Sequence, residues 1–547
     1  MEENLRSAVA EALKTLGVEE VSFIVERPAQ LAHGDYATNV ALSASKKLGK
    51  SPRDFAEELA GKLRESLDAL ASGVEVAGPG FINITLASSA VEEVMALAQH
   101  SAWGKRKVEK TEKVLIEYSN PNAFKEMHIG HLVGSVIGEA MSRLIENEGA
   151  HVKRDTFGGD IGPNVAKALW GLQKMGNTNP QTAKEIGTAY IEGSNAYEGD
   201  PKAKEEIDAL NLAIYAGIDA ELMALWKKGR EVSMQEFRRI WKLLGTKFDY
   251  EFFDSDTTEL GLAKVQEGLE KGVFQKSDGA IIYPGEEKGV HTMVFITSHN
   301  TPTYETKDIG LAFLKEEKWS ADKVIVVAGN EQTGRFKTVL SALSELAPEL
   351  AQKTTHIAHG FLKLTEGKMS SRKGDVITAS LLIEEVAQKS REKNEDAVVA
   401  EQVAVGAIKY MILRQAPGTD IIFDGEKSLS LEGDSGPYLQ YALARAKSVI
   451  EKSEQTGRAM EHPAEPYAIE RHILHFPEVV ARAAREYAPH LLTTYLTELA
   501  GAWNSFYAQE RIVEGEFEAY KVNVARAFVQ TMTNGLALLG IPTPERM

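Results

Sequence analysis

Glu117-Tyr118-Ser119-Asn120-Pro121-Asn122-Ala123-Phe124-Lys125-Glu126-Met127-His128-Ile129-Gly130-His131 follows the apolar run Val114-Leu115-Ile116. It leads into a segment where Leu132, Val133, Val136, Ile137, Ala140 and Leu144 recur at helical spacing as far as Glu148. A short apolar run reads as a strand buried on both faces, and the periodic segment as an amphipathic helix. Strand, loop and helix in that order form the unit of a parallel sheet. His128 and His131 stand three apart at the helix start, so their imidazoles share one side of it. A helix start also offers unpaired N–H groups and the positive end of its dipole, both suited to phosphate. Gly130 lets a ligand approach the backbone closely. Alone, the pair reads better as capping or surface histidines.

A second stretch changes that balance. Gly367-Lys368-Met369-Ser370-Ser371-Arg372-Lys373-Gly374 is a glycine-bounded loop dense in cation and hydroxyl. Mobile cations suit charge that appears only in a transition state. By itself this is a solvated basic loop. With the histidine segment it can hold a triphosphate from two sides.

The rest of the chain falls around these two stretches. Residues 1–105 read as a small α/β unit: helical spacing over Leu5 to Leu16, a strand at Val21 to Val25, and an alternating strand at Phe81 to Leu86 after the turn Gly78-Pro79-Gly80. Lys105-Arg106-Lys107 reads as a linker. Residues 106–385 alternate strands (Val114 to Tyr118, Val152 to Asp155, Lys323 to Ala328) with helices, which predicts a Rossmann-type, doubly wound parallel sheet. A charged helical insertion occupies about 165–245. Residues 386–547 read as an all-α helical bundle, punctuated by Pro417-Gly418, Gly433 and Gly436.

Composition sets limits. A chain of 547 residues exceeds the roughly 300 that one core supports, so several domains are expected. No run of about 18 apolar residues exists, and the acidic start Met1-Glu2-Glu3-Asn4-Leu5-Arg6 is no signal peptide, so a cytoplasmic protein without a membrane span is expected. With no cysteine, disulfides and thiolate zinc sites are excluded, and no His-Glu-x-x-His occurs; no resident metal is expected. A net charge of −17 argues against a nonspecific RNA or DNA coat but allows an enzyme that touches RNA through local basic patches.

The paired stretches resemble the HIGH and KMSKS signatures of class I aminoacyl-tRNA synthetases. The string Glu117, Ser119, Asn122, Lys125, His128 is similar to the arginyl-tRNA synthetase version, as is Gly433-Asp434-Ser435-Gly436-Pro437-Tyr438-Leu439-Gln440-Tyr441-Ala442-Leu443-Ala444-Arg445. His33-Gly34-Asp35-Tyr36-Ala37-Thr38-Asn39 resembles that family's extra N-terminal domain, which contacts the tRNA elbow. The residues after Asn534 also resemble the family's ending.

The resemblance implies ATP-dependent activation of L-arginine and its transfer to tRNA(Arg), with Mg²⁺ arriving on ATP, no zinc, no DNA partner, and a monomer. It places Lys125, His128, Gly130, His131, Lys368, Met369, Ser370, Ser371 and Arg372 around ATP. It assigns Asn122, Ser119, Tyr304, Asp308, Gln332 and Asp254 to arginine, and Tyr36, Asn39, Tyr507 and Arg511 to tRNA. It also implies that activation requires bound tRNA. A pocket for a guanidinium needs carboxylates in fork geometry, and Tyr304 and Asp308 are four apart on one helix face. Departures from the family pattern are three. Ser371 replaces its second lysine. Asp254 stands one methylene short of its usual glutamate, leaving Glu251 or a bridging water as alternatives. Arg335 stands where a histidine often follows the glutamine. Trp503 and Phe506, at i and i+3, read as core, and Tyr507 as a face for stacking on bases. The rivals are a class I synthetase for lysine or cysteine, the latter needing a thiolate zinc site, and an inactive tRNA-binding paralogue. A dinucleotide oxidoreductase lacks its Gly-x-Gly-x-x-Gly.

Overall fold

The computed structural model describes residues 1–18, 21–28, 30–106, 108–365, 377–453 and 461–547. The first unit is a four-stranded antiparallel sheet in the spatial order Val25–Glu26, Tyr36–Thr38, Phe81–Leu86, Ala71–Ala77, backed by helices Glu2–Thr15, Val40–Leu48 and Pro52–Ser66. Phe81–Leu86 alternates as its sequence suggests, with Ile82, Ile84 and Leu86 inward. The strand expected at Val21 to Val25 is instead the two-residue strand Val25–Glu26.

The central unit is a five-stranded, all-parallel sheet. Its strands in chain order are β1 (Lys113–Glu117), β2 (His151–Gly158), β3 (Tyr250–Phe253), β4 (Lys323–Gly329) and β5 (Thr354–His359), arranged in space as β5-β4-β1-β2-β3. Val114, Leu115 and Ile116 of β1 are buried, as a strand covered on both faces requires. The chain winds outward from β1 to β3, then returns to build β4 on the other side of β1. The crevice at the carboxyl ends of β1 and β4 is thus the topological switch point, where such sheets bind ligands.

The helix after β1, α1 (Ile129–Asn147), is buried nearly all round. One face lies on the sheet and another meets the C-terminal bundle. Arg143 donates to Glu139 (2.7 Å), to the Gly245 carbonyl (2.7 Å) and to the Ala537 carbonyl (2.8 Å). Lys409 donates to the Leu244 and Gly540 carbonyls, each at 2.6 Å. Between β2 and β3 the insertion forms helices Pro163–Lys174, Ala183–Gly199, Pro201–Ala216 and α2 (Ala220–Leu243) around an apolar cluster that includes Leu169, Ile186 and Ile207. After β3 come α3 (Asp254–Glu270), a three-stranded antiparallel sheet absent from the sequence reading (Gln275–Ser277, Ala280–Tyr283, Met293–Ile296), and α4 (Tyr304–Lys318). The helix α5 (Thr333–Leu346) follows β4.

Among its described residues the C-terminal region holds one strand and is otherwise built of helices and their connections. Ile421–Phe423 pairs in parallel with Leu362–Leu364, tying the bundle to the segment before residue 366. The bundle's long helices include Ala397–Leu413, Gly436–Lys452, Pro489–Gln509 and Glu518–Leu538. Trp503 is fully buried and stacks on Phe528 at 4.7 Å, and Phe506 is buried beside it, both in the core role expected of them. Among the described residues, no single helix is long and apolar enough to cross a membrane.

Candidate active site at the switch point of the parallel sheet

The loop leaving β1 is conformationally costly. Ser119, Asn120 and Phe124 all have positive φ (76°, 51° and 64°), a region non-glycine residues rarely adopt. Such strain persists only where the surroundings over-determine it. Here Asn120 donates to Glu117 (2.7 Å) and accepts from the Phe157 N–H (2.9 Å). The Ser119 hydroxyl pairs with Ser135 (2.8 Å) and accepts from the Trp241 indole (3.0 Å). Phe124 N–H donates to Ser233 (3.0 Å). The loop is bolted to β2, α1 and α2 before any ligand arrives.

At its end, His128 caps α1. Its Nδ1 accepts from the Gly130 N–H at 3.1 Å, so Nδ1 is the unprotonated nitrogen and Nε2 carries the hydrogen. His131 stacks on it, with ring centroids 3.6 Å apart and planes 26° from parallel. Burial, then Lys125, pushes His128 below the ordinary histidine range; burial, then His128 itself, does the same to His131. Both rings are therefore neutral near pH 7, and a neutral imidazole stacked on another avoids like-charge repulsion. His131 Nδ1 is buried without a hydrogen-bond partner among the described residues. A third histidine, missed in the sequence, lies beneath. His359 ends β5, is 7% exposed, and packs its Nε2 against Gly134 of α1. Nothing in its local sequence marks it; only the β5 position beside β4 brings it there.

Lys368, Met369, Ser370, Ser371 and Arg372 lie outside the described residues. The chain after residue 376 is nonetheless attached to the histidine segment: Ile129 N–H donates to the Ile377 carbonyl (3.2 Å) and Ala379 N–H to the Met127 carbonyl (2.7 Å), with His128 bridged to Thr378. Lys125 reaches toward the insertion, its ammonium 4.4 Å from the Tyr190 ring centroid.

Beside the histidines lies an acidic pocket. Asp254 opens α3 at the carboxyl end of β3 and is 2% exposed. It pairs with Lys307 of α4 at 2.7 Å. Burial raises the Asp254 carboxyl to about 6 despite that lysine. Glu251, the alternative carboxylate, forms a fork with Arg238 at 3.0 and 2.6 Å on the surface instead. Asn122 accepts from the Gly159 N–H (3.1 Å), and a Cβ on Gly159 would stand 2.4 Å from Asn122 Oδ1 and 3.5 Å from Asp254 Oδ2. Only glycine fits between these two side chains. Overpacking of this kind costs about 1–3 kcal/mol, so Gly159→Ala should displace Asn122 and lower stability by about that much, measured by urea unfolding.

Further along α4, the Asp308 carboxylate pairs with Arg335 at 2.5 Å, and Arg335 Nε donates to Gln332 at 2.9 Å. Burial pushes Asp308 up to about 7, with Arg335 pulling against it. Tyr304 opens α4, is 52% exposed, and has its ring centroid 5.3 Å from the Lys307 ammonium. Under the pocket, Lys315 of α4 contacts Glu117 of β1 and Asp155 of β2, the latter at 2.8 Å. Asn122 and Asp254 thus flank Gly159, Tyr304 lies over Lys307 on Asp254, and Asp308 and Gln332 share Arg335. Ser119 is 5% exposed, and its hydroxyl is already bonded to Trp241 and Ser135.

The RNA candidates fare differently. Tyr36 is fully buried; its hydroxyl donates to Glu478 of the bundle at 2.6 Å and its ring meets His475 edge-on. This corrects its sequence assignment: no base can reach it, and together with the Asp35–Arg471 ion pair it docks the N-terminal unit on the bundle. Asn39 is half-buried, accepting from the Ile24 N–H at 3.1 Å. Tyr507 presents a 36% exposed ring with the Arg445 guanidinium 4.1 Å from its centroid. Arg511 is exposed beside Glu514 at 2.6 Å. Among the described residues no group of three or more histidine or carboxylate side chains could hold a metal.

Comparison with known proteins matches this arrangement along the whole chain. Residues 93–425 match the family "tRNA synthetases class I (R), catalytic domain", residues 439–547 the "DALR anticodon binding domain", and residues 3–86 the "Arginyl tRNA synthetase N terminal domain". The arginine–tRNA ligase of Treponema denticola is 31% identical over 96% of this chain and 94% of its own length. That of Halothermothrix orenii is 30% identical over 100% and 99%. The Thermus thermophilus arginyl-tRNA synthetase superposes over 100% of both chains with a TM-score of 0.82 at 26% identity. With the catalytic family spanning more than half the chain and full-length relatives in agreement, the chain belongs to the arginyl-tRNA synthetase family of class I aminoacyl-tRNA synthetases.

Proposed function

We propose that this enzyme activates L-arginine with ATP and passes it to tRNA(Arg). The arginine carboxylate attacks the α-phosphorus of ATP. The bond to the β-phosphate oxygen breaks, pyrophosphate leaves, and arginyl-adenylate remains. A ribose hydroxyl at the tRNA 3′ end then attacks the carbonyl carbon and AMP departs. The observation that carries this reading is the placing of two buried carboxylates, Asp254 and Asp308, beside a neutral histidine pair at one switch point.

Little covalent chemistry is asked of the side chains; they position groups and meet developing charge. In this reading the Nε2–H of His128 and an N–H of His131 donate to phosphate oxygens, as neutral donors that need no proton transfer. Lys125 and the segment containing Lys368, Met369, Ser370, Ser371 and Arg372 add positive charge, and Mg²⁺ comes as part of the ATP complex. Gly130 keeps the backbone accessible. Asp308, Asp254, Tyr304 and Gln332 take the guanidinium end and Asn122 the α-amino end, while Ser119 holds the loop. Tyr507 and Arg511, with Arg445, form the RNA-facing edge of the bundle. We divide the chain into an N-terminal unit (1–105), a catalytic unit (106–385) and a bundle (386–547), acting as a cytoplasmic monomer; light scattering near 59.9 kDa would support the last point.

The test is arginine-dependent ATP–pyrophosphate exchange and aminoacylation, each with and without tRNA. Charging of tRNA with arginine and not lysine supports the proposal; lysine charging, or tRNA binding with no exchange under any condition, refutes it. Robust exchange without tRNA would remove only the expected tRNA requirement.

A pH dependence follows. Guanidinium binding requires carboxylate anions, and Asp254 and Asp308 are raised to about 6 and about 7. Acid therefore protonates the acceptors. The KM for arginine should be level above pH ~8 and rise about tenfold per unit below ~7, with a second acceptor lost below ~6. A KM unchanged down to pH ~5.5 would contradict these roles.

A further inference from the structure

Arg335 already does to Asp308 and Gln332 what the proposed substrate would do. Its guanidinium donates to the Asp308 carboxylate at 2.5 Å and to the Gln332 side-chain oxygen at 2.9 Å. These are two of the acceptors that the functional reading gives to the guanidinium of arginine. With Arg335 on Asp308 Oδ2, a second guanidinium cannot take both carboxylate oxygens in a fork.

We infer that Arg335 is a resident placeholder: in the empty enzyme its guanidinium sits on the substrate's seat, and arginine binds by displacing it. This rests on the arginine-activating function proposed above. The two carboxylates of the pocket differ in how their partners are held. Lys307, on Asp254, is 3% exposed and has Tyr215 beside it, so it is held in place. Arg335 is 22% exposed, springs from the first turn of α5, and lies with its guanidinium 4.9 Å from the Phe336 ring centroid. A partly exposed arginine on a flexible stem can swing to water without moving backbone.

The placeholder has a physical use. The Asp308 side chain is 9% exposed and feels Glu117, Glu305 and Asp254 as well as Arg335, with Lys315 lining the same cavity. Without a cation it would take up a proton and cease to be a guanidinium acceptor. Arg335 keeps the empty seat ionised, at the cost of competing for it. Substrate then exchanges one guanidinium for another, and its apparent affinity is divided by the fraction of time the seat stands open. A seat open about one-tenth of the time weakens arginine about tenfold.

The test compares wild type with Arg335→Ala and Arg335→Gln, whose folding is checked by thermal melting. Losing Arg335 moves Asp308 protonation to higher pH, so KM is followed from pH ~8 upward and the variants are compared with wild type where each profile has become level. The KM for arginine in aminoacylation should fall about three- to tenfold in both variants. The inhibition constant of agmatine, which has the guanidinium but no carboxylate, should fall by the same factor, because competition is at that end. An unchanged or raised KM and agmatine constant in folded variants overturns the inference. So does a wild-type structure with bound arginine in which Arg335 still contacts Asp308, a result that needs no variant to fold. If wild type charges no arginine at all, it is the functional proposal that has failed, not the placeholder.

Discussion

His131→Ala is expected to lower the rate constant for arginine activation about 10²–10³-fold while leaving the KM for arginine nearly unchanged. The reason is geometric. His131 is stacked under His128, held neutral by burial, and keeps a buried ring nitrogen without a partner among the described residues. A buried polar atom that stays unpaired costs free energy, and each one calls for a physical explanation. The amino-acid seat proposed above is the carboxylate pair, so ground-state binding should survive while charge development on phosphate loses a donor. His131→Asn keeps an N–H donor and should recover part of the rate. His128→Ala/His131→Ala should cost little more than the single change, because the rings act as one stacked unit. Single-turnover formation of arginyl-adenylate is the measurement. A single variant within about threefold of wild type would remove these histidines from the chemistry.

Lys315→Met is expected to cost about 3–5 kcal/mol of stability, since removing one partner of a buried ion cluster strands the others. Lys315 crosses from α4 to the sheet, where it meets Glu117 of β1 and Asp155 of β2. The three residues are 3–4% exposed or less: Glu117 3%, Lys315 4%, Asp155 0%. Burial raises the Asp155 carboxyl, and Lys315 pulls it back toward the anion. In the variant that restraint is gone, so the folded-state pKa rises further above its unfolded value. A raised carboxylate is a penalty above the unfolded pKa, and the penalty is relieved as pH falls through the folded one. The deficit should therefore be largest near pH 8 and shrink toward pH 5 in urea unfolding. Adding Glu117→Gln and Asp155→Asn should recover much of it. A deficit below about 1 kcal/mol at pH 8 would mean that the cluster is solvated in solution. The effect reaches function, because Glu117 accepts from Asn120 and so helps hold the loop that carries His128.

How far the sequence goes can be seen residue by residue. Periods of two and near four are local, so β1, α1, Phe81–Leu86 and the helical C-terminal region follow from neighbours in the chain. The first histidine stretch is equally local: cap, helix start and preceding strand lie within fifteen residues, and the gathering of Asn122, Tyr304, Asp308 and Gln332 followed from family resemblance. The short antiparallel sheet at 275–296 was not legible, because its strands are three or four residues long and their partners decide them.

What side chains do to one another at long range belongs to tertiary structure. Tyr36 reads as a surface tyrosine in a polar string, and only Glu478, 442 residues away, turns it into a domain latch. Lys307 and Asp254 are 53 residues apart, and Lys315 and Glu117 are 198 apart. No spacing rule reports such pairings, because they arise from strand order. The chain alone marked two histidines at a helix start and, through resemblance, a set of carboxylate and amide acceptors. The packed sheet decided that they share one crevice, that their carboxylates are buried enough to hold protons near neutrality, and that the protein's own Arg335 sits there first. Burial and charge proximity are properties of three-dimensional neighbours, which a linear sequence does not contain.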